Sequence, residues 1–417
     1  MCCIEKSPNK ARFLHRTATV QNHIRSATMA LTTAVAASTL AGPESAAKVP
    51  PIPTLTNTAI DMGLGAGAGV YSPILGQYPT FTGQGGGLAL DPNTGNIYYA
   101  DYLGDIHVVT LSTDAATAKD ITIDPDYAVV YAETPNTALV ESVITPIATQ
   151  CQNFGVINGL AIDTVTQNVF VPCGGENVIY VINEATNNIV ATIPVAKNPW
   201  AALADETTGT LYVTSSQGTN LVSVISEKTN TVTATIPVGK YPEYLALDKK
   251  NHQLFVSDYT SGVTVIDTKT NTVKSAPQLI GLDAAGLAFD STTEKLYVAN
   301  YFQGAPNAPA GTVGSFYVID AKTLKVITII NAPIGCNPLF NVADSAHGIV
   351  YALCYGQNFA AGKTGLVIDE KTDTVTGTFN TLPNPENIVL NPKTNQLLIS
   401  QNTGHNYGGV SIYRTNQ

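Results

Sequence analysis

The chain has 417 residues, only 12% of them charged, and a formal net charge of −10. An acidic balance without any run of Lys or Arg repels polyphosphate backbones, which argues against nucleic acid as a partner. With 34 Gly and 24 Pro, the composition is that of a turn-rich all-β protein.

In chain order, Lys6, Lys10, Arg12, Arg16 and Arg25 are followed by the charge-free stretch Ala27 to Pro43 and the small residues Ser45, Ala46 and Ala47. That order predicts a secretory leader over residues 1–48, disordered or cleaved, with an internal start at Met29 and a disordered tail as alternatives. Its apolar part is too weak for a transmembrane span. Residues 49–69, with Pro50, Pro51, Pro53 and then Gly63, Gly65, Gly67 and Gly69, read as a linker into a domain covering 70–417.

A repeat governs the remainder. An Asp or Asn closes a short apolar strand at Asp91, Asp163, Asp205, Asp248, Asp290, Asp344 and Asn391. Ten residues after each anchor a second strand ends, at Asp101, Cys173, Ser215, Asp258, Asn300, Cys354 and Gln401. The unit from Tyr244 to Leu279 holds four short strands separated by polar turns, which is one propeller blade. The expectation is therefore all-β: a seven-bladed β-propeller of four-stranded antiparallel blades. The last copy stops after a third strand, Val410 to Tyr413, whereas Val70 to Leu75 with Gly76 to Pro79 copies the end of an outer strand. That N-terminal segment is predicted to complete the last blade and close the ring.

Leu296 to Asn300 (LYVAN), Leu211 to Ser215 (LYVTS) and Leu254 to Asp258 (LFVSD) carry a resemblance to the YVTN-repeat β-propellers of bacterial and archaeal extracytoplasmic proteins. The match runs from residue 87 to 417 and is clearest between Gly159 and Gln278. It implies fold and location outside the cytoplasm, but no shared active site. One periplasmic relative binds single-stranded DNA, an activity that the acidic balance disfavours here.

Three second-to-third loops are long: Tyr301 to Gly314, Tyr355 to Gly365 and Asn402 to Gly409, rich in Gly and Asn and bearing Phe302, Phe359, Tyr407 and His405. On one side of a channel mouth they would make a recognition rim, with tolerated surface insertion as the bland alternative. A separate insertion, Ser112 to Asn158, extends blade one. Cys173 and Cys354 share one repeat position, and Cys151 and Cys336 both lie in segments leading into that same blade. This plan predicts the disulfides Cys151–Cys173 and Cys336–Cys354, in keeping with export. A four-Cys metal site or reduced thiols are the rivals. Cys2 and Cys3 belong to the leader.

The second-strand ends and the residues five before each anchor should meet at one mouth. Together they offer Asp101, Asn158, Trp200, Ser215, Glu243, Asp258, Asn300, Glu386 and Gln401, with Tyr301, Phe302, Tyr355 and His405 beside them as ligand-binding candidates. No cofactor is required on this reading. Glu243, Asp258, Asn300 and Glu386 could hold Ca²⁺ or Mg²⁺ for a hydrolase or lactonase, the alternative being turn-capping and solvated carboxylates. His252 and His347 fall in turns on the opposite face, and His107 in a strand, so multi-His metal and haem centres lack ligands. No catalytic motif is present: Gly85-Gly86-Gly87 precedes a strand rather than a helix. Trp200, the sole Trp, suits stacking on a flat ligand or packing between blades. The expected role is a secreted or periplasmic, monomeric binding or scaffold propeller for a protein, glycan or small ligand, with metal-dependent hydrolysis as the alternative.

Overall fold

A computed structural model describes residues 54–61, 87–100, 106–112, 138–144, 159–216, 218–278, 283–301, 314–355, 362–381, 385–402 and 408–415. Every helix-or-strand element among them is a β-strand. The leader expected over 1–48 lies outside the described residues.

Six blades are each built from four consecutive antiparallel strands. Blade 1 runs from Leu88–Leu90 to Ala138–Ile144, blade 2 from Ala161–Asp163 to Asn188–Pro194, and blade 3 from Pro199–Asp205 to Thr231–Pro237. Blade 4 runs from Pro242–Asp248 to Thr272–Gln278, blade 5 from Ala284–Asp290 to Lys325–Asn331, and blade 6 from Pro338–Asp344 to Thr374–Asn380. The outer strand of blade 1, Ala138–Ile144, comes from inside the Ser112 to Asn158 insertion. First strands pack on one another around a common axis, and Pro385–Asn391 returns to Leu88–Leu90.

The remaining sheet is composite. Pro385–Asn391, Gln396–Asn402 and Gly408–Arg414 take their fourth strand from Thr54–Asp61. The register joins Leu55 to Tyr413 and Ile60 to Val410. This corrects the expected closure: Val70 to Leu75 lies outside the described residues, and the strand beside Gly408–Arg414 comes from a segment read as linker. Backbone pairing, which satisfies an open edge whatever the side chains, outweighs the Pro- and Gly-rich flanks.

The repeat is visible in the turns. The anchor carboxylates accept backbone N–H bonds from the turn they open, as Asp91 does from Asn93 at 2.6 Å, Asp163 from Val165 at 2.7 Å and Asp290 from Thr292 at 2.5 Å. Four residues after each anchor the chain enters the left-handed region, at Gly95, Gln167, Gly209, His252, Glu294, Gly348 and Asn395. The tight two-strand turn demands that conformation. Seven residues after the anchors stand Tyr98, Phe170, Tyr212, Phe255, Tyr297, Tyr351 and Leu398, all fully buried. A large apolar side chain at the centre of each sheet, aromatic in six and Leu398 in the composite one, fills the wedge between neighbouring sheets, contributing roughly 1.5–3 kcal/mol per side chain.

The expected disulfide Cys336–Cys354 is present, joining residues 18 apart. Cys173 is also disulfide-bonded, while its expected partner Cys151 lies outside the described residues.

Candidate functional site

Strand register fixes which residues share the mouth. Pro199 pairs with Ser215, Pro242 with Asp258, Ala284 with Asn300, Pro338 with Cys354 and Pro385 with Gln401. The second-strand ends therefore lie beside Trp200, Glu243, Ala285, Leu339 and Glu386, at the end of the strands opposite the anchor turns. A repeated backbone bond holds this rim. In blades 3 to 6 the residue after the second strand donates its N–H to the segment leading into its own blade: Ser216 to Asn198 at 3.0 Å, Tyr259 to Tyr241 at 3.0 Å, Tyr301 to Asp283 at 3.0 Å and Tyr355 to Asn337 at 2.8 Å.

That bond sets Tyr259, Tyr301 and Tyr355 at one register position in blades 4, 5 and 6. Tyr301 and Tyr355 meet edge to face, with centroids 5.9 Å apart, over Ala285. Tyr244 packs against this group, and its ring meets Phe340 at 5.2 Å and 77°. Trp200, buried at 7% exposure, turns its indole N–H toward the Tyr244 hydroxyl. The Tyr259 hydroxyl donates to the Asp283 carboxylate.

Carboxyl groups line the same rings. Glu243 is half-buried on its strand. Burial, followed by the nearby Asp283 charge, pushes it up to about 8. Burial raises Asp283 as well. Glu386 is buried against Tyr244 and Tyr355, and its charge pushes Tyr355 up to about 12 after the larger effect of burial. No Lys, Arg or His among the described residues acts on Glu243, Tyr244, Tyr259 or Tyr301. The mouth of blades 4 to 6 thus sets aromatic faces and hydroxyls beside Glu243 and Asp283, which burial favours keeping neutral, and beside Glu386, so that it can present both hydrogen-bond donors and acceptors.

The expected residues divide. Trp200, Glu243, Tyr301, Tyr355 and Glu386 join this cluster through Tyr244. Asp258 does not: its carboxyl accepts from the Thr264 hydroxyl, which itself accepts from the Gly239 N–H at 3.2 Å, and burial pushes the carboxyl up to about 7 despite this support. A Cβ at Gly239 would collide with that carboxyl, so Gly is required there. Ser215 donates to the Ala196 carbonyl at 3.4 Å, and Asn300 is fully buried. The expected metal set of Glu243, Asp258, Asn300 and Glu386 is not brought together, since among the described residues no three His, Cys, Asp or Glu are grouped to hold an ion. Asp101, Asn158, Phe302, His405 and most of the three long loops lie outside the described residues, as does the side chain of Gln401. Tyr244, Tyr259 and Asp283 were missed. Tyr259 was readable, because it stands eleven residues after Asp248 as Tyr301 does after Asp290 and Tyr355 after Asp344.

No protein-family model matches the chain, and no curated protein matches it. Among solved structures the chain is similar to a hydrazine synthase of Kuenenia stuttgartiensis, with 14% identity and a TM-score of 0.60 over 82% of this chain and 98% of that one. At that identity the likeness speaks for architecture alone. The chain is an all-β propeller of four-stranded antiparallel blades.

Proposed function

We propose that this propeller is an extracytoplasmic binding or scaffold protein that recognises a glycan, protein or small ligand at the channel mouth. The observation that carries this reading is the row Tyr259, Tyr301 and Tyr355, set beside Glu243, Asp283 and Glu386. Aromatic faces stack on sugar rings or on apolar and cationic side chains, and the hydroxyls and carboxyls around them fix orientation. Disulfide-bonded Cys173, Cys336 and Cys354 support a place outside the reducing cytoplasm. The YVTN resemblance of Leu211 to Ser215 and Leu254 to Asp258 supports the same location. We infer further that the composite sheet, which draws Thr54–Asp61 beside Gly408–Arg414, serves as a seventh blade and closes the ring.

The test is calorimetric titration of the full chain with a panel of soluble oligosaccharides and with short basic and acidic peptides. Binding that Tyr301→Ala and Tyr355→Ala each weaken at least tenfold supports the mouth as the site. Binding untouched by both variants removes it. A melting temperature raised by Ca²⁺ or Mg²⁺, and no longer raised in Glu243→Ala, would replace this reading with metal-dependent hydrolysis.

A further inference from the structure

On the face opposite the mouth, one register position repeats with a pattern of its own. The residue following each third strand donates its N–H to the left-handed turn residue of the same sheet: Glu184 to Gln167 at 2.9 Å, Glu227 to Gly209 at 3.0 Å, and Glu370 to Gly348 at 3.0 Å. The same position holds Thr268, Ala321 and Thr415 in other sheets. Where it is Glu, the side chain reaches the anchor Asp of the preceding blade. Glu184 of blade 2 meets Asp91 of blade 1, Glu227 of blade 3 meets Asp163 of blade 2, and Glu370 of blade 6 meets Asp290 of blade 5.

All six groups are buried, at 6%, 8% and 1% exposure for the three Glu and 1%, 1% and 0% for their Asp partners. Asp163 Oδ2, Asp290 Oδ2, Glu370 Oε1 and the oxygens of Glu184 and Glu227 receive no well-formed hydrogen bond from an N–H or O–H donor. Two ionised carboxylates facing one another out of water repel, and these particular oxygens lack a donor to offset the repulsion even though the other oxygens of Asp163, Asp290 and Glu370 have one. One proton placed between them supplies the donor and removes the repulsion.

We propose that each of these three seams between blades is closed by a single proton shared by a Glu and an Asp, so that the ring is clamped in mildly acidic surroundings and loosened when the proton passes to solvent.

The other groups facing the seams fit this account. Around Glu184 stand Asp91 and Tyr98; around Glu227 stand Asp163, Thr166 and Glu206, the last ion-paired with Lys249 at 3.7 Å. Around Glu370, Thr293 donates to Oε2 at 2.8 Å. Lys295 there is committed to the Glu370 carbonyl at 2.6 Å and to Asp373, which also accepts from Tyr297 at 2.7 Å. Burial is the first cause holding Glu184 up at about 7 and Glu227 and Glu370 up at about 8, with the paired Asp adding to each. Because the folded values lie above the usual 4.5, the unfolded chain binds fewer protons between about 4.5 and 8. The stability is fully present below that window and lost as pH rises through it.

The test compares melting temperature from about pH 5 to about pH 9 in the full chain and in E184Q/E227Q/E370Q, whose amides imitate the protonated acid. The wild type should melt progressively lower as pH rises through about 7 to 8. The triple variant should lose the larger part of that fall and melt above the wild type at the alkaline end; Glu243 and Asp258, at the other end of the strands, account for what remains. Parallel curves would overturn the proposal. If the variant does not fold, infrared spectra of the wild type decide. A band of buried protonated carboxyl at neutral pH, titrating away near pH 8, sustains the shared protons. Its absence refutes them.

Discussion

The ring of Tyr244 on the first strand of blade 4 meets that of Phe340 on the first strand of blade 6, at 5.2 Å and 77°, although blade 5 intervenes in the chain. Tyr244 is also next in sequence to Glu243, whose charge acts on its hydroxyl. Tyr244→Ala should cost about 1–3 kcal/mol, less than a fully buried aromatic because Tyr244 is half-buried. Water admitted there should return Glu243 toward the ordinary carboxylate range. Carbon-13 side-chain titration reads the second effect; an unmoved Glu243 would show that the aromatic bridge does not shelter it.

Cys336 anchors the segment leading into blade 6 to the end of that blade's second strand, closing a loop of 18 residues. Opening it with Cys354→Ser should cost about 2–4 kcal/mol, the usual range for a loop of this size. Urea unfolding with and without reductant measures this, and reductant should leave the variant's remaining difference from the reduced wild type small. Because Pro338 pairs with Cys354, the mouth of blade 6 should loosen in the same variant.

Removing Thr54–Asp61 should expose the backbone of Gly408–Arg414 along its whole length. An unpaired edge of that kind recruits other chains. Light scattering and size-exclusion chromatography should show aggregation of the shortened chain at concentrations where the intact chain is dispersed. A monodisperse product would mean that another segment can take the same place.

Asp258 is fully buried, and its carboxyl accepts from Thr264, whose hydroxyl is held in turn by the Gly239 N–H. Burial outweighs those bonds and lifts it from 3.8 to about 7. The stability it contributes as a neutral acid is complete below the lower value and disappears as pH climbs through the upper one. Asp258→Asn keeps an acceptor for Thr264 and cannot ionise. Relative to the variant, the wild type should lose on the order of 4 kcal/mol between about pH 4 and pH 8, read from urea midpoints. Curves that stay parallel would place the carboxylate in a better-solvated setting.

The blades were legible because strand, turn and core each repeat on one count. The ten-residue offset from Asp205 to Ser215 or from Asp248 to Asp258 is the length of a hairpin, and that geometry fixes spacing whatever the side chains. The Cys336–Cys354 bridge followed from the same count. Thr54–Asp61 escaped notice since TLTNTAID carries no apolar run and earns its place through backbone pairing. Asp283 escaped because it lies between repeats, where the backbone turns at φ 69° and no periodicity reports on it. Glu184, Glu227 and Glu370 read as ordinary turn residues, and only the packing of one sheet on the next shows what they face.

Because strands some 350 positions apart must sit side by side in the composite sheet, the circle cannot be finished until synthesis of the domain is complete. Thr54–Asp61 leaves the ribosome before any of the blades and is paired only after the last of them. Blades formed in the meantime stack as an open arc with two unguarded flanks, and the long-range pairing that joins them is the slow, entropically demanding step. Proline placed at Leu55 or Ile60, which disfavours backbone pairing of this strand, should therefore show up as delayed maturation before it shows up as a lower melting point.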